Sequence, residues 1–266
     1  MVMHKNKKKK LTILFLFLLG LLLSCSKEIN DYEEMIRQES RAMNQDLSEI
    51  KIKAWATILS KWTEPNFFEG HVNEFLEEDK IISPKKGSIL FIGSSIIVYL
   101  KTLKDDMSPL KILNRGVGGA HISHVNYHLN EIVLPYEPLG IVFFCGTNDL
   151  AALKTPQEVF KDFLIFLNSV KENLPNTKIF VIGVKPSTAR YHLRKKELTL
   201  NKLKFDLSKK EKNLFFIDVW EAMLKEGKAN PDLFVEDGLH INQKGYEIWK
   251  NKVKPLLMEH FAKQQS

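Results

Sequence analysis

Residues 89–100 read "ILFIGSSIIVYL". The first four are uninterrupted apolar residues of β-type, the pattern of a strand buried on both faces. Gly93, Ser94 and Ser95 then break the run before it resumes at Ile96. Small residues suit a tight strand-to-helix turn, and Ser is a good helix N-cap. The same place, at the carboxyl end of a buried strand, is where open parallel sheets hold their ligands. A serine there is either a turn residue or a nucleophile, and the rest of the chain has to decide.

Beyond this stretch the chain repeats the strand-then-helix alternation. Strands are expected at 88–93, 111–115, 140–145, 178–184 and 214–220. Between them lie amphipathic stretches, the clearest being "PQEVFKDFLIFLNSVKENL" (156–174), where Val159, Phe160, Phe163, Leu164, Phe166, Leu167, Val170 and Leu174 recur at helical spacing. Wholly apolar strands alternating with helices require a parallel sheet covered on both sides. The expected fold is α/β, a three-layer α/β/α sandwich with a five-stranded parallel sheet. In such a sheet the loops at the carboxyl ends of the strands share one edge, so residues distant in sequence meet there.

The 266 residues carry a formal net charge of +7. Five of those charges, Lys5, Lys7, Lys8, Lys9 and Lys10, precede "LTILFLFLLGLLL", an apolar run too short for a comfortable membrane span. Residues 1–24 therefore read as an export signal. Its end, "LLSCS", resembles a bacterial lipoprotein signal, with Leu22 three positions before Cys25 and Ser24 adjacent to it. That resemblance implies cleavage before Cys25, a lipid on its thiol, and an exported protein held in the membrane of the bacterial cell envelope. The alternative is an uncleaved anchor helix followed by an incidental cysteine. Without the signal the charge is only +2, and the lysines interleave with acids, as in "LRKKELTLNKLKFDLSKKEK" (193–212), so nucleic acid is not an expected partner. With Cys25 acylated, Cys145 is the only thiol left and no intramolecular disulfide can form. Residues 25–60 read as a tether and an N-terminal helix, and 61–266 as one α/β domain.

Four loops carry chemistry: "GSS" (93–95), "NRGVGGAH" (114–121), "GTND" (146–149) and "FVEDGLHINQKGY" (234–246). In this order they resemble the blocks of the SGNH (GDSL-type) hydrolases, serine esterases of flavodoxin-like fold, over roughly residues 66–262. The resemblance implies Ser95 as nucleophile, being two positions after the block's glycine, and an oxyanion hole from the backbone N–H groups of Ser95 and Gly119 with the side-chain amide of Asn148. Ser94 stands where many members have Asp, a departure that bears on the order of the loop.

The residue chemistry supports the same set. A serine hydroxyl is a weak nucleophile near neutral pH and needs an adjacent base, for which His240 is the candidate. Asp237, three residues earlier, is spaced to meet Nδ1 while Nε2 faces Ser95. Taken alone, D-x-x-H equally describes a helix N-cap beside a histidine. Gly119 permits close backbone approach and positive φ, and Asn148 is otherwise a turn residue.

His121, His124 and His128 share a face if their segment is helical and would then suit a metal. The apolar stripe Ile122, Val125, Leu129 and Ile132 puts them on its flank, so no metal or other cofactor is expected, and His121 is expected at the substrate rim. Arg115, Lys185, Ser187 and Arg190 follow the second and fourth strands and are candidates for touching a polar or anionic part of the substrate; Arg115, His121, Lys185 and Arg190 form the expected substrate-binding set. The expected activity is a serine esterase cleaving short-chain acyl esters, O-acetyl above all, of a small molecule or glycan through an acyl-enzyme. A lysophospholipase or thioesterase of the envelope is the rival enzyme, and a binding lipoprotein on a hydrolase fold the rival from another class.

Overall fold

The structure is a computed structural model that describes residues 29–84 and 86–265. The expected export signal and Cys25 lie outside the described residues. The chain divides after Glu64 into two compact units. In the first, α1 (Ile29–Ala42) and α2 (Glu49–Trp62) pair where the sequence suggests a tether and a single helix. Tyr32 and Ile36 on one helix, and Ile52 and Ala56 on the other, recur at i, i+4 and are buried. An Arg37–Glu49 ion pair of 2.7 Å and a Tyr32–Thr63 hydroxyl contact of 2.7 Å join the two.

The second unit holds, in chain order, α3 (Glu69–Ile81), β1 (Ile89–Gly93), α4 (Ser95–Val98), α5 (Leu103–Met107), β2 (Ile112–Gly116), α6 (Ile122–Tyr127), α7 (Leu129–Ile132) and β3 (Gly140–Phe144). It continues with α8 (Thr147–Ala151), α9 (Pro156–Asn173), β4 (Lys178–Ile182), α10 (Arg194–Ser208), β5 (Leu214–Ile217), a short ribbon of β6 (Leu224–Lys225) and β7 (Lys228–Ala229), and α11 (Gln243–Gln265). Strands β1 to β5 form one parallel sheet in the order β2-β1-β3-β4-β5. The order reverses between β1 and β3, the switch point at which doubly wound sheets open a crevice.

The core lies on both faces of this sheet. Val125 of α6, Ile132 of α7, Phe163 and Phe166 of α9 and Leu200 of α10 pack with one set of strand side chains. Ile97 of α4, Leu103 of α5 and Trp249, Leu257 and Phe261 of α11 pack with the other. β1 and β3 are buried at every position, as their unbroken apolar sequences require. Helix α9 starts with a reciprocal cap, Thr155 accepting from the Glu158 N–H and Glu158 accepting from the Thr155 N–H, an arrangement worth about 1 kcal/mol.

Two strands stop earlier than their apolar runs suggest. Beyond Ile182 both backbone groups of Val184 are taken by the Asn201 side-chain amide, at 2.8 Å each, so the ladder ends there. Beyond Ile217, the Asp218 carboxylate accepts the Trp220 N–H at 2.8 Å and turns the chain. Both exits lie at the carboxyl edge of the sheet. Among the described residues no helix is long and apolar enough to cross a membrane.

Candidate active site

β1 delivers Ser95 to the switch point. Gly93 has φ +141°, and a Cβ there would lie 1.9 Å from the Phe144 carbonyl oxygen, so no side chain fits between the ends of β1 and β3. The Ser94 N–H donates to that same carbonyl at 3.0 Å, and the Gly93 carbonyl accepts from the Val117 N–H at 2.8 Å. Ser94 is buried and occupies the N-cap of α4 without a capping bond from its side chain. Ser95, at the first helical position, is half-buried and faces the cleft.

From the other end of the unit, the loop before α11 brings His240 and Asp237 to this serine. His240 Nε2 lies 2.9 Å from Ser95 Oγ, and His240 Nδ1 lies 2.5 Å from Asp237 Oδ2. The other carboxylate oxygen, Oδ1, accepts the backbone N–H groups of Leu239 and His240 at 2.8 Å each. Desolvation opposes the charge on Asp237, but these bonds from the ring and the backbone outweigh it and hold the carboxyl down at about 2. The carboxylate is therefore ionised and fixed across the neutral range. Tyr99 packs edge-to-face on the His240 ring, centroids 4.9 Å apart, and Tyr246 of α11 donates its hydroxyl proton to the Ile96 carbonyl at 2.8 Å. Neither tyrosine's role was legible in the four blocks: Tyr99 lies four residues past one, and Tyr246, which closes another, resembles an ordinary helix-face aromatic.

Phe144 at the end of β3, with Thr147 and Asn148 just after it, lines the cleft, and the turn after β2 meets Asn148. Gly119 has φ +82° in the turn that follows β2, and the adjacent Ala120 carbonyl accepts from Asn148 Nδ2 at 3.1 Å. Asn148 lies in the first turn of α8 and lines the same small cleft as Ser95, with Thr147, Lys185, Arg190 and Leu239. The cleft encloses about 240 Å³ of empty space, solvent included. Behind it, Asp149 accepts the Ile122 N–H at 3.2 Å and approaches Lys154, which pairs with Asp162 at 2.7 Å.

Of the four expected substrate contacts, two line the cleft and two do not. Lys185 is 1 % exposed; its Nζ donates to the Leu239 carbonyl at 2.7 Å and sits over the Phe234 ring. Burial pulls its pKa down to about 7, and the nearby Arg190 charge works in the same direction. Arg190 donates from Nη1 to Asn148 Oδ1 at 2.9 Å. Arg115, by contrast, is engaged away from the cleft: it pairs with Asp79 of α3, donates to the Tyr136 hydroxyl at 2.9 Å and stacks on Phe75. Side chains alternate along a strand, and Asn114, not Arg115, takes the side that meets α4, where its amide donates to the Ile97 carbonyl.

His121 is also corrected. It is 0 % exposed and stacks on His124, with ring centroids 4.9 Å apart, so it lies beneath the surface and not at a rim. Burial, with Lys154 and Arg190 nearby, pushes its pKa well below the usual histidine value and keeps the ring neutral. His128 turns instead to Glu131, Nδ1 to Oε2 2.5 Å. The helix that would have aligned the three histidines breaks between α6 and α7. Among the described residues no group of three His, Cys, Asp or Glu side chains is arranged to hold a metal ion.

The fold is a three-layer α/β/α one with a cleft at its switch point, and the family its sequence matches makes it a hydrolase acting on ester bonds. The chain belongs to the GDSL-like lipase/acylhydrolase family, whose model matches residues 98–248, beginning just past the Gly93–Ser95 turn. It is 27% identical over 180 residues to the platelet-activating factor acetylhydrolase IB subunit alpha2 of Rattus norvegicus, a span of 66% of this chain and 78% of that one. The fold matches a GDSL-like lipase of Bacteroides thetaiotaomicron with a TM-score of 0.60 at 20% identity, covering 71% of this chain and 97% of that one. It also matches a carbohydrate esterase family 3 protein of Talaromyces cellulolyticus, with a TM-score of 0.55 at 15% identity over 65% and 97% of the two chains.

Proposed function

We propose that the protein is a serine esterase that removes short acyl groups, acetyl above all, from a polar substrate such as a glycan. The observation that carries this reading is the continuous line Ser95–His240–Asp237, at 2.9 and 2.5 Å, opening on a cleft that Asn148 also lines. As Ser95 Oγ attacks the ester carbonyl carbon, His240 Nε2 takes its proton and Asp237 stabilises the imidazolium at Nδ1. Negative charge moves to the carbonyl oxygen, where the N–H groups of Ser95 and Gly119 and the Asn148 amide are the candidate donors. The tetrahedral species collapses, the C–O bond to the alcohol breaks, and His240 returns the proton to the leaving alkoxide. Water then attacks the acyl-Ser95 ester with His240 again as base, releasing the carboxylic acid and restoring the serine.

The cramped cleft supports a small acyl group, because a long chain requires a larger apolar channel. The rat relative's name, an acetylhydrolase, and the fungal neighbour's, a carbohydrate esterase, support the acetyl and glycan parts of the reading. Acetate release from p-nitrophenyl acetate and from an O-acetylated xylan, with Ser95→Ala as control, tests it. Release from neither by the wild-type protein would overturn it. We further propose export and lipid anchoring through Cys25, tested by whether Cys25→Ala frees the protein from the membrane fraction or blocks its maturation; tight membrane association unchanged in that variant would contradict it.

A further inference from the structure

Lys185 to Arg190, the segment that leaves β4, touches both halves of the cleft. At one end Lys185 Nζ donates to the Leu239 carbonyl at 2.7 Å, while the Ala189 N–H and the Thr188 hydroxyl both donate to the Gly238 carbonyl, at 3.1 and 3.0 Å. These contacts seat the segment on the turn between Asp237 and His240. At the other end Arg190 Nη1 donates to Asn148 Oδ1 at 2.9 Å and reaches toward the Thr147 carbonyl at 3.5 Å. Its own backbone N–H is fixed on Ser187 Oγ at 3.2 Å.

The consequence for Asn148 follows from the chemistry of a primary amide, which has one acceptor oxygen and two N–H donors. Its Oδ1 is held by a guanidinium and one N–H by the Ala120 carbonyl at 3.1 Å. Turned over, the amide would set its NH₂ against the guanidinium and its oxygen against a carbonyl, two repulsive contacts. Only one orientation survives, and it leaves the second N–H uncommitted. A cation bonded to Oδ1 also draws electron density from the amide nitrogen and strengthens its remaining N–H as a donor.

We propose that Arg190 is a positioning residue for Asn148: it locks the amide orientation and polarises it toward the oxyanion, without itself holding the substrate. This rests on the reading of Asn148 as an oxyanion donor. Burial lowers the guanidinium's pKa, and the ionised Asp237 carboxylate supports its charge. Such an arginine acts in the transition state, when the oxyanion forms. An arginine gripping an anionic group on the substrate would act on the ground state as well and would alter KM.

The test is a double-mutant cycle on p-nitrophenyl acetate with Asn148→Ala, Arg190→Met and the pair, each checked for an unchanged thermal transition. Arg190→Met is expected to lower kcat by about 10- to 100-fold with KM nearly unchanged, and to add little once Asn148 is already Ala. Arg190→Lys, which keeps the charge, is expected to recover part of the lost kcat; it also serves in the cycle if the Met variant does not fold. Losses that multiply in the pair, an effect confined to KM, or wild-type kcat in Arg190→Met beside an impaired Asn148→Ala would each overturn the proposal. Wild-type kcat in Asn148→Ala would instead remove the reading on which it rests.

Discussion

His240 Nε2 meets Ser95 Oγ at 2.9 Å although 145 positions of chain separate the two residues. No local preference produces that distance. It arises because β1 ends at Gly93, against the end of β3, while α11 packs on the same face of the sheet as α4 and presents the loop before it to the switch point. The interaction belongs to the fold as a whole.

Asp237→Asn removes the charge that stabilises the imidazolium and sets the histidine tautomer. The expected result is a fall in kcat of about 10³- to 10⁴-fold, in line with the loss when a triad aspartate becomes its amide. Steady-state kinetics on p-nitrophenyl acetate measures it, and a loss below tenfold would make Asp237 a capping residue only.

Gly93→Ala tests the junction of β1 and β3. The added methyl would sit 1.9 Å from the Phe144 carbonyl oxygen at φ +141°, so strain and overlap together should cost roughly 2–6 kcal/mol. Calorimetry should show Tm lowered by at least about 5 °C. An unchanged Tm would mean that the junction opens freely.

The site was legible in part before its structure. Ser95 and Asn148 open helices just past the ends of strands, Asp237 and His240 lie in the loop before α11, each in a block whose residue types the chemistry demands, and the fold brings them to one edge. β1, β3, β4 and β5 were legible because their apolar runs are continuous, whereas β2 carries Asn114 and Arg115. Arg115 was not: whether a residue at the end of β2 faces the cleft or α3 depends on register, and a one-residue shift reverses it. His121 was misplaced because nothing local shows that α6 buries its own N-cap. The contact from Arg190 to Asn148 was invisible for a third reason. It joins residues 42 apart through a long side chain whose direction is set by where Gly238 holds the intervening loop.

Glu197 carries a pH prediction. Its carboxyl is 0 % exposed with no hydrogen-bond partner among the described residues, and burial raises its pKa to about 8 although Lys185 and Arg190 both favour the charged form. The native state therefore holds a proton that the unfolded chain releases above its ordinary value of 4.5. Between those pH values the native state binds more protons, and this group's contribution to stability falls as pH rises. Glu197→Gln removes that loss, so its Tm relative to wild type should climb from pH 5 to pH 7.5. A constant difference, or one that shrinks, would show that Glu197 is ionised in the fold.

Acyl length tests the cleft. With little enclosed space beside Ser95, and apolar burial worth about 25 cal/mol per Å² only where a channel exists to provide it, long chains gain nothing. On a p-nitrophenyl ester series, kcat/KM should be highest for acetate to butyrate and fall steeply by octanoate. A maximum at dodecanoate would favour the lysophospholipase reading.

The most direct measurement separates two adjacent serines. A fluorophosphonate probe reacts only with a serine activated by a neighbouring base, and only Ser95 has His240 within hydrogen-bond reach. Intact mass and peptide mapping should find one adduct, on Ser95, in both the wild-type protein and Ser94→Ala, and none in Ser95→Ala. An adduct on Ser94, or labelling that persists in Ser95→Ala, would contradict the account.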